Sequence, residues 1–155
     1  MNILLYWLVW LSLVAFAAGE LAKSRRSLGA WSISATGAIL LAVHIVVAMA
    51  VRHGWSHSSA LEATARQTND MFGLDWNGGV YVNYAFAVVW ISELFVWRQW
   101  PEGYDSRPDW ITWPLRGFYF VIIASAAVIF ATGWRRWMGL AILAMLLASW
   151  IKRPR

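Results

Sequence analysis

Long apolar runs broken by short polar clusters set the pattern of this chain. Four runs, 3–22, 31–51, 80–97 and 115–132, approach the roughly 20 apolar residues that a helix needs to cross a ~30 Å hydrocarbon core. A fifth run, 137–151, is shorter and reads as a short crossing, a tilted one or an interfacial helix. The pattern predicts an all-α integral membrane protein: a compact bundle of five transmembrane helices in one domain spanning 1–155, with four crossings as the fallback. Residues 52–79 and 98–114 form the two longer loops. In the first, "SALEATARQTNDMFG" has Ser59 and Glu62 at capping-box spacing and Gly73 as a stop. That predicts a short amphipathic helix over about 60–72, with Leu61, Met71 and Phe72 on its apolar side. Asn77-Gly78-Gly79 then turns the chain into the third run.

Small residues follow the helical period inside the runs. Ala30, Ser34, Gly37, Leu41, His44 and Ala48 share one face of the second helix, and Gly19 lies in a similar stripe on the first. Lipid supplies no hydrophobic drive between helices, so close approach through small residues is how they associate. Gly19, Ser34, Gly37 and Ala48 are therefore expected at helix contacts. No internal repeat is present, which argues against an inverted-repeat transporter.

Basic residues fix the orientation, because cytoplasmic loops retain Lys and Arg. With the N-terminus outside, the inner side carries Lys23, Arg25, Arg26, Arg98, Arg107, Arg116, Lys152, Arg153 and Arg155, against Arg52, Arg66, Arg135 and Arg136 outside. The excess predicts N-out and C-in, places 52–79 outside and 98–114 inside, and supports the fifth crossing. Of the 13 tryptophans, Trp31, Trp55, Trp76, Trp97, Trp100, Trp110, Trp113, Trp134, Trp137 and Trp150 fall at or just beyond run ends, as two aromatic belts require. The first run lacks the basic start of a signal peptide and reads as an uncleaved span.

Composition agrees with lipid as the solvent. The chain is 60% hydrophobic and 14% charged, with a mean hydropathy of +0.51, whereas soluble domains carry about 25% charged residues. The net charge of +5 sits at run ends and so reports topology, not nucleic-acid binding. With no cysteine, disulfides, thiolate metal sites, iron–sulfur clusters and thiol nucleophiles are excluded.

Candidate chemistry is sparse. His44 is the one histidine well inside a run, where an ionisable group is costly and faces other helices. It reads either as packing glue bonded to Asn83 or Tyr84, or as a haem, metal or quinone ligand. His53 and His57 have the i, i+4 spacing of metal ligands, with Asp70, Met71 and Asp75 downstream to complete a zinc or copper site. The plainer reading is two interfacial histidines beside Trp55. Glu20 and Glu93 lie near inner run ends, where Glu20 is expected to reach Lys23 or Ser24, and Glu93 to reach Arg98 or Arg116. A proton relay through His44 and Glu93 is the further option. The chain holds no phosphate-binding glycine loop, no Gly-x-Ser-x-Gly elbow and no His-Glu-x-x-His.

The sequence therefore points to a small non-catalytic subunit, without a required cofactor, in a bilayer such as a bacterial cytoplasmic membrane. It would pack with other membrane subunits or its own copies in a respiratory, photosynthetic or transport complex. The alternatives are a redox protein binding haem, copper, zinc or a quinone at His44 or His53/His57, and a small transporter or proton channel.

Overall fold

The computed structural model describes residues 3–151, which contain helices and turns but no strand. Seven α-helices follow one another: α1 (Ile3–Ser24), α2 (Ala30–His53), α3 (His57–Phe72), α4 (Gly79–Gln99), α5 (Pro101–Asp105), α6 (Asp109–Ala124) and α7 (Trp134–Ile151). A π-helical turn, Ser125–Ile129, extends α6. Four helical segments are long and apolar enough to cross a membrane: α1, α2, α4 and Asp109–Ile129. The last begins six residues before the apolar run at 115–132, because "DWITWP" winds into the first turns of α6. The short helix α7 is not among the four.

Taking the start of α1 as the upper end of the bundle and its finish as the lower end, α2 returns antiparallel to it. Leu5 meets His44 near the top, Ser12 meets Gly37 midway and Gly19 meets Ser34 near the bottom. The helix α4 descends again, pairing Tyr84 with Met49, Trp90 with Ser34, and Leu94 with Trp31. In the middle of the bundle Phe16 of α1 packs edge-on to Trp90, 4.8 Å between ring centres, and 4.9 Å from Tyr119 of α6. Phe86 completes this aromatic core. The helix α7 runs parallel to α1 for its whole length: Trp134 contacts Tyr6 at the top, and Trp150 bonds Glu20 at the bottom. Thus α1 touches α2, α4, α6 and α7, and is the central rod.

Small residues set how near the rods come. A Cβ on Gly37 would lie 2.8 Å from the Trp90 ring and 2.9 Å from the Ala15 methyl; one on Gly19 would lie 2.9 Å from the Ser34 Cβ. Ser34 is buried beneath these contacts, while Ala48, nearer the top of the same helix, is half-buried. Two buried serine hydroxyls find backbone partners, as a low-dielectric interior favours: Ser12 donates to the Gly37 carbonyl at 2.9 Å, and Ser149 to the Leu146 carbonyl at 2.7 Å.

The junction after α2 is sharper than the apolar pattern suggests. Gly54 adopts a left-handed conformation with φ of 53° and closes the helix, and Trp55 follows at φ of 63°. Ser56 then caps α3 by accepting from the Ser59 N–H at 3.2 Å. The cap is therefore Ser56 and not Ser59, and α3 starts three residues before the expected Ala60. Gly73 closes it in the left-handed region, as a C-terminal stop should.

Where α7 crosses the π-turn, the Ala127 carbonyl faces Gly139. A Cβ there would lie 2.0 Å from that oxygen, and backbone cannot yield as a flexible side chain does. Gly139→Ala is therefore expected to destabilise the protein by about 1–3 kcal/mol or more, the range for overpacking a full core. Gly117→Ala on the outer side of α6, with nothing within 4 Å, is expected to be neutral or slightly stabilising through helix propensity. Thermal unfolding of both variants in one detergent makes the comparison; equal melting temperatures would count against this helix crossing.

Candidate functional site

The chemistry-bearing residues gather at the lower end of the bundle, under the aromatic core. Glu93 lies on the same face of α4 as Phe86, Trp90 and Leu94, so the period that buries those rings also carries the carboxylate inward. Its side chain is only 15% exposed. A carboxylate taken out of water costs several kcal/mol unless its oxygens are met by donors, and three donors meet this one. Arg107 forms an ion pair with Oε1. The Tyr104 hydroxyl donates to the same oxygen at 3.3 Å. The Tyr119 hydroxyl donates to Oε2 at 2.5 Å.

The loop delivers two of these groups. After α4 ends at Gln99, Pro101 opens the short α5 with its fixed φ and missing N–H, both compatible with a first helical turn. Tyr104 is thereby turned back beneath the bundle, 5% exposed and stacked on Trp97 with ring centres 5.6 Å apart. Arg107 follows in the turn before α6, its Nε donating to the Thr112 hydroxyl at 3.2 Å. Burial by itself lowers the Arg107 pKa, but Tyr104 and Glu93 beside it more than offset this and hold it above its ordinary value. The guanidinium stays charged.

A second carboxylate joins from α1. Glu20 Oε2 accepts from the Trp150 indole N–H at 2.7 Å, and Oε1 lies 3.5 Å from Lys23 Nζ. Lys23 is itself buried, donating to the Tyr104 hydroxyl at 2.5 Å with its ammonium 4.0 Å above the Tyr104 ring. One polar chain thus runs Trp150–Glu20–Lys23–Tyr104–Glu93–Tyr119, with Arg107 on its side, and joins α1, α4, α5, α6 and α7. A cavity of about 10 Å³, the space of a single water, lies against Glu20, Glu93, Ser34 and Tyr104.

The histidines occupy the other end. His44 is half-buried and its Nδ1 lies 3.0 Å from the Leu5 carbonyl, so that nitrogen carries the proton and donates. Its partner is on α1, not Asn83 or Tyr84; Tyr84 instead reaches the Met49 sulfur at 3.7 Å. His44 and Glu93 are not brought together. His44 is level with Leu5, Glu93 with the Glu20–Lys23 turn, about 22 Å further down α1 at 1.5 Å per residue.

His53 ends α2 and His57 begins α3, so the turn at Gly54 and Trp55 removes the shared helical face that an i, i+4 pair needs. His53 Nδ1 lies 3.5 Å from the Ser59 hydroxyl. His57 stacks on Tyr84 and lies 3.4 Å from the Tyr81 hydroxyl. Among the described residues, no three His, Asp or Glu side chains are near enough together to hold a metal ion; Asp70 and Asp75 do not join the two histidines.

The expected partners of Glu93 also differ. Arg98 projects over the Trp31 ring, 5.9 Å from its centre, and Arg116 is buried against Trp113 and Trp150. Arg107, Tyr104, Tyr119 and Trp150 were not legible as parts of this cluster. The available signal was the in-phase position of Glu93 with Phe86 and Trp90.

Breaking one partner of a buried ion pair strands the other, at a cost of about 3–5 kcal/mol. Glu93→Gln is therefore expected to lower unfolding free energy in detergent by that order. Glu93→Gln with Arg107→Gln should lose less than the two single changes added together. Strict additivity in that double-mutant cycle would mean the pair is not coupled. Set beside known protein families, curated proteins and solved structures, the chain matches none of them.

Proposed function

We propose that this protein is a non-catalytic integral membrane subunit: a lipid-embedded bundle whose ionisable groups hold helices together, leaving its outer faces to pack against other subunits or further copies. The single observation that carries the reading is the saturation of the lower cluster. Glu93 receives three donors and Glu20 two. These carboxylates are engaged in cross-linking five helices. Intramembrane charge of this kind is a functional hypothesis by default, and the function its geometry favours is architectural.

The outer surface supports the assembly part of the reading. Ile39, Val43 and Val46 of α2, and Val88, Ile91 and Phe95 of α4, are exposed apolar side chains. Asn83 of α4 is exposed among them. A side-chain amide on a lipid-facing helix is a natural hydrogen-bond partner for a neighbouring helix.

We place five crossings in a bacterial-type cytoplasmic membrane, N-terminus out and C-terminus in, with α3 on the outer surface. The path of α7 supports the fifth: it follows α1 from Tyr6 to Glu20, and its 18 residues reach about 27 Å. The polar end carrying Lys23, Arg25, Arg26, Arg98 and Arg107 is then cytoplasmic.

Gentle solubilisation followed by native mass spectrometry is expected to show the chain in a stoichiometric complex, either with other membrane proteins or as an oligomer. Asn83→Leu should weaken that complex without lowering the melting temperature of the chain itself. A clean monomer from the native membrane would dispose of the subunit reading. The absence of cysteine makes sidedness directly measurable. Gln67→Cys should react with an impermeant maleimide in intact cells, and Ser106→Cys only after lysis. Reaction of both in intact cells, or of Ser106→Cys alone, would refute the orientation.

A further inference from the structure

The upper end of the bundle holds a feature that takes no part in the lower cluster. Between the first turns of α1 and α7 lies an open cleft of about 320 Å³, lined by Ile3, Tyr6, Trp7, Trp134 and Arg135. Three aromatic rings and one aliphatic chain form its walls, and a guanidinium is its single charged group. Arg135 makes no ion pair among the described residues, and its guanidinium carbon sits 5.5 Å from the centre of the Tyr6 ring.

We propose that this cleft is the binding site of one anionic phospholipid. The headgroup phosphate lies against Arg135, while the start of an acyl chain runs along Ile3 and Trp7 and between the aromatic walls. Three features of the cleft select this ligand. First, it lies at a bundle end, with Trp7 and Trp134 half in and half out, the level at which indoles mark the headgroup boundary. Second, an arginine fork matches the paired oxygens of a phosphate better than any neutral donor. Third, the volume admits a phosphoglycerol headgroup and the beginning of its tails, whose remainder stays in the bilayer. The aromatic walls by themselves would also suit a quaternary ammonium through cation–π contact. Arg135 in the same cleft repels that cation, so a headgroup of net negative charge wins over phosphatidylcholine.

The test uses the full chain in detergent, titrated with dioleoyl phosphatidylglycerol, dioleoyl phosphatidylcholine or glycerol phosphate, and read by native mass spectrometry and thermal unfolding. Phosphatidylglycerol is expected to be retained as one molecule per chain and to raise the melting temperature. Arg135→Gln should weaken retention by roughly tenfold or more, as loss of a charge-assisted bond implies; Arg98→Gln, at the opposite end, should not. Trp134→Ala is the companion: by removing one exposed aromatic wall of the cleft it should weaken retention as well. Equal retention of phosphatidylcholine overturns the anionic site. A full shift from glycerol phosphate means an ion site without a lipid and overturns it too. Unchanged phosphatidylglycerol retention in both Arg135→Gln and Trp134→Ala does the same.

Discussion

A carboxylate inside an apolar bundle must be met by donors on every exposed lone pair, and Glu93 imposes that condition on everything around it. A hydrogen bond between membrane helices is worth about 0.6 kcal/mol on average, so a contact such as Ser12 to Gly37 adjusts packing without dictating it. Stranding a buried charge costs about 3–5 kcal/mol, several times more. The larger energy decides the local architecture. It explains why α5 folds back to deliver Tyr104, why Arg107 is held in the turn before α6, and why Tyr119 faces inward from α6. Glu20 repeats the condition on α1, and Trp150 brings the end of α7 to meet it.

Two kinds of contact consequently divide the task of assembly. Small residues along α1 and α2 determine how near the helices approach; Gly37 leaves room for the Trp90 ring and Ala15, and Ser34 faces Gly19. They are weakly directional, and a helix could slide by a turn along such a stripe with modest loss. The polar cluster supplies the direction. Lys23 reaches Tyr104, and Tyr119 reaches Glu93, only when α1, α4 and α6 stand at one relative height. Close packing sets distance, and paired charge sets register.

This division also explains what could be read from the chain alone. The helical class and the main apolar segments were legible, because lipid demands about 20 apolar residues per crossing and the runs are uninterrupted. Helix ends were less so. The break after His53 depends on a left-handed Gly54 and on Ser56 taking the capping role, and "GWSHSSA" offers several serines of equal capping strength. The lower cluster was legible only as separate charges. Glu93 has Arg98, Arg107 and Arg116 all within reach in sequence; which one pairs depends on how Pro101 turns α5, and no periodicity contains that. His44 erred for a related reason: its helical face was correctly aimed at neighbours, but a histidine accepts any well-placed carbonyl, and Leu5 on α1 stood nearer than the side chains of α4.

The two ends of the bundle therefore differ in kind. Below, Glu93 pairs with Arg107 and Glu20 with Lys23, and aromatic faces of Trp97 and Tyr104 cover Lys23. Such a cluster changes little with its surroundings, because these four groups already have partners. Above, Gly54 and Trp55 bend the chain through positive φ, His57 rests on two tyrosines, and Arg135 stands over Tyr6 with no ion pair among the described residues. Polar groups left to solvent or lipid are free to take partners from outside the chain. A bundle built this way is pinned where charge is buried and open where it is not, which is the arrangement the proposed membrane subunit would need to keep its own fold while meeting the lipids and proteins around it.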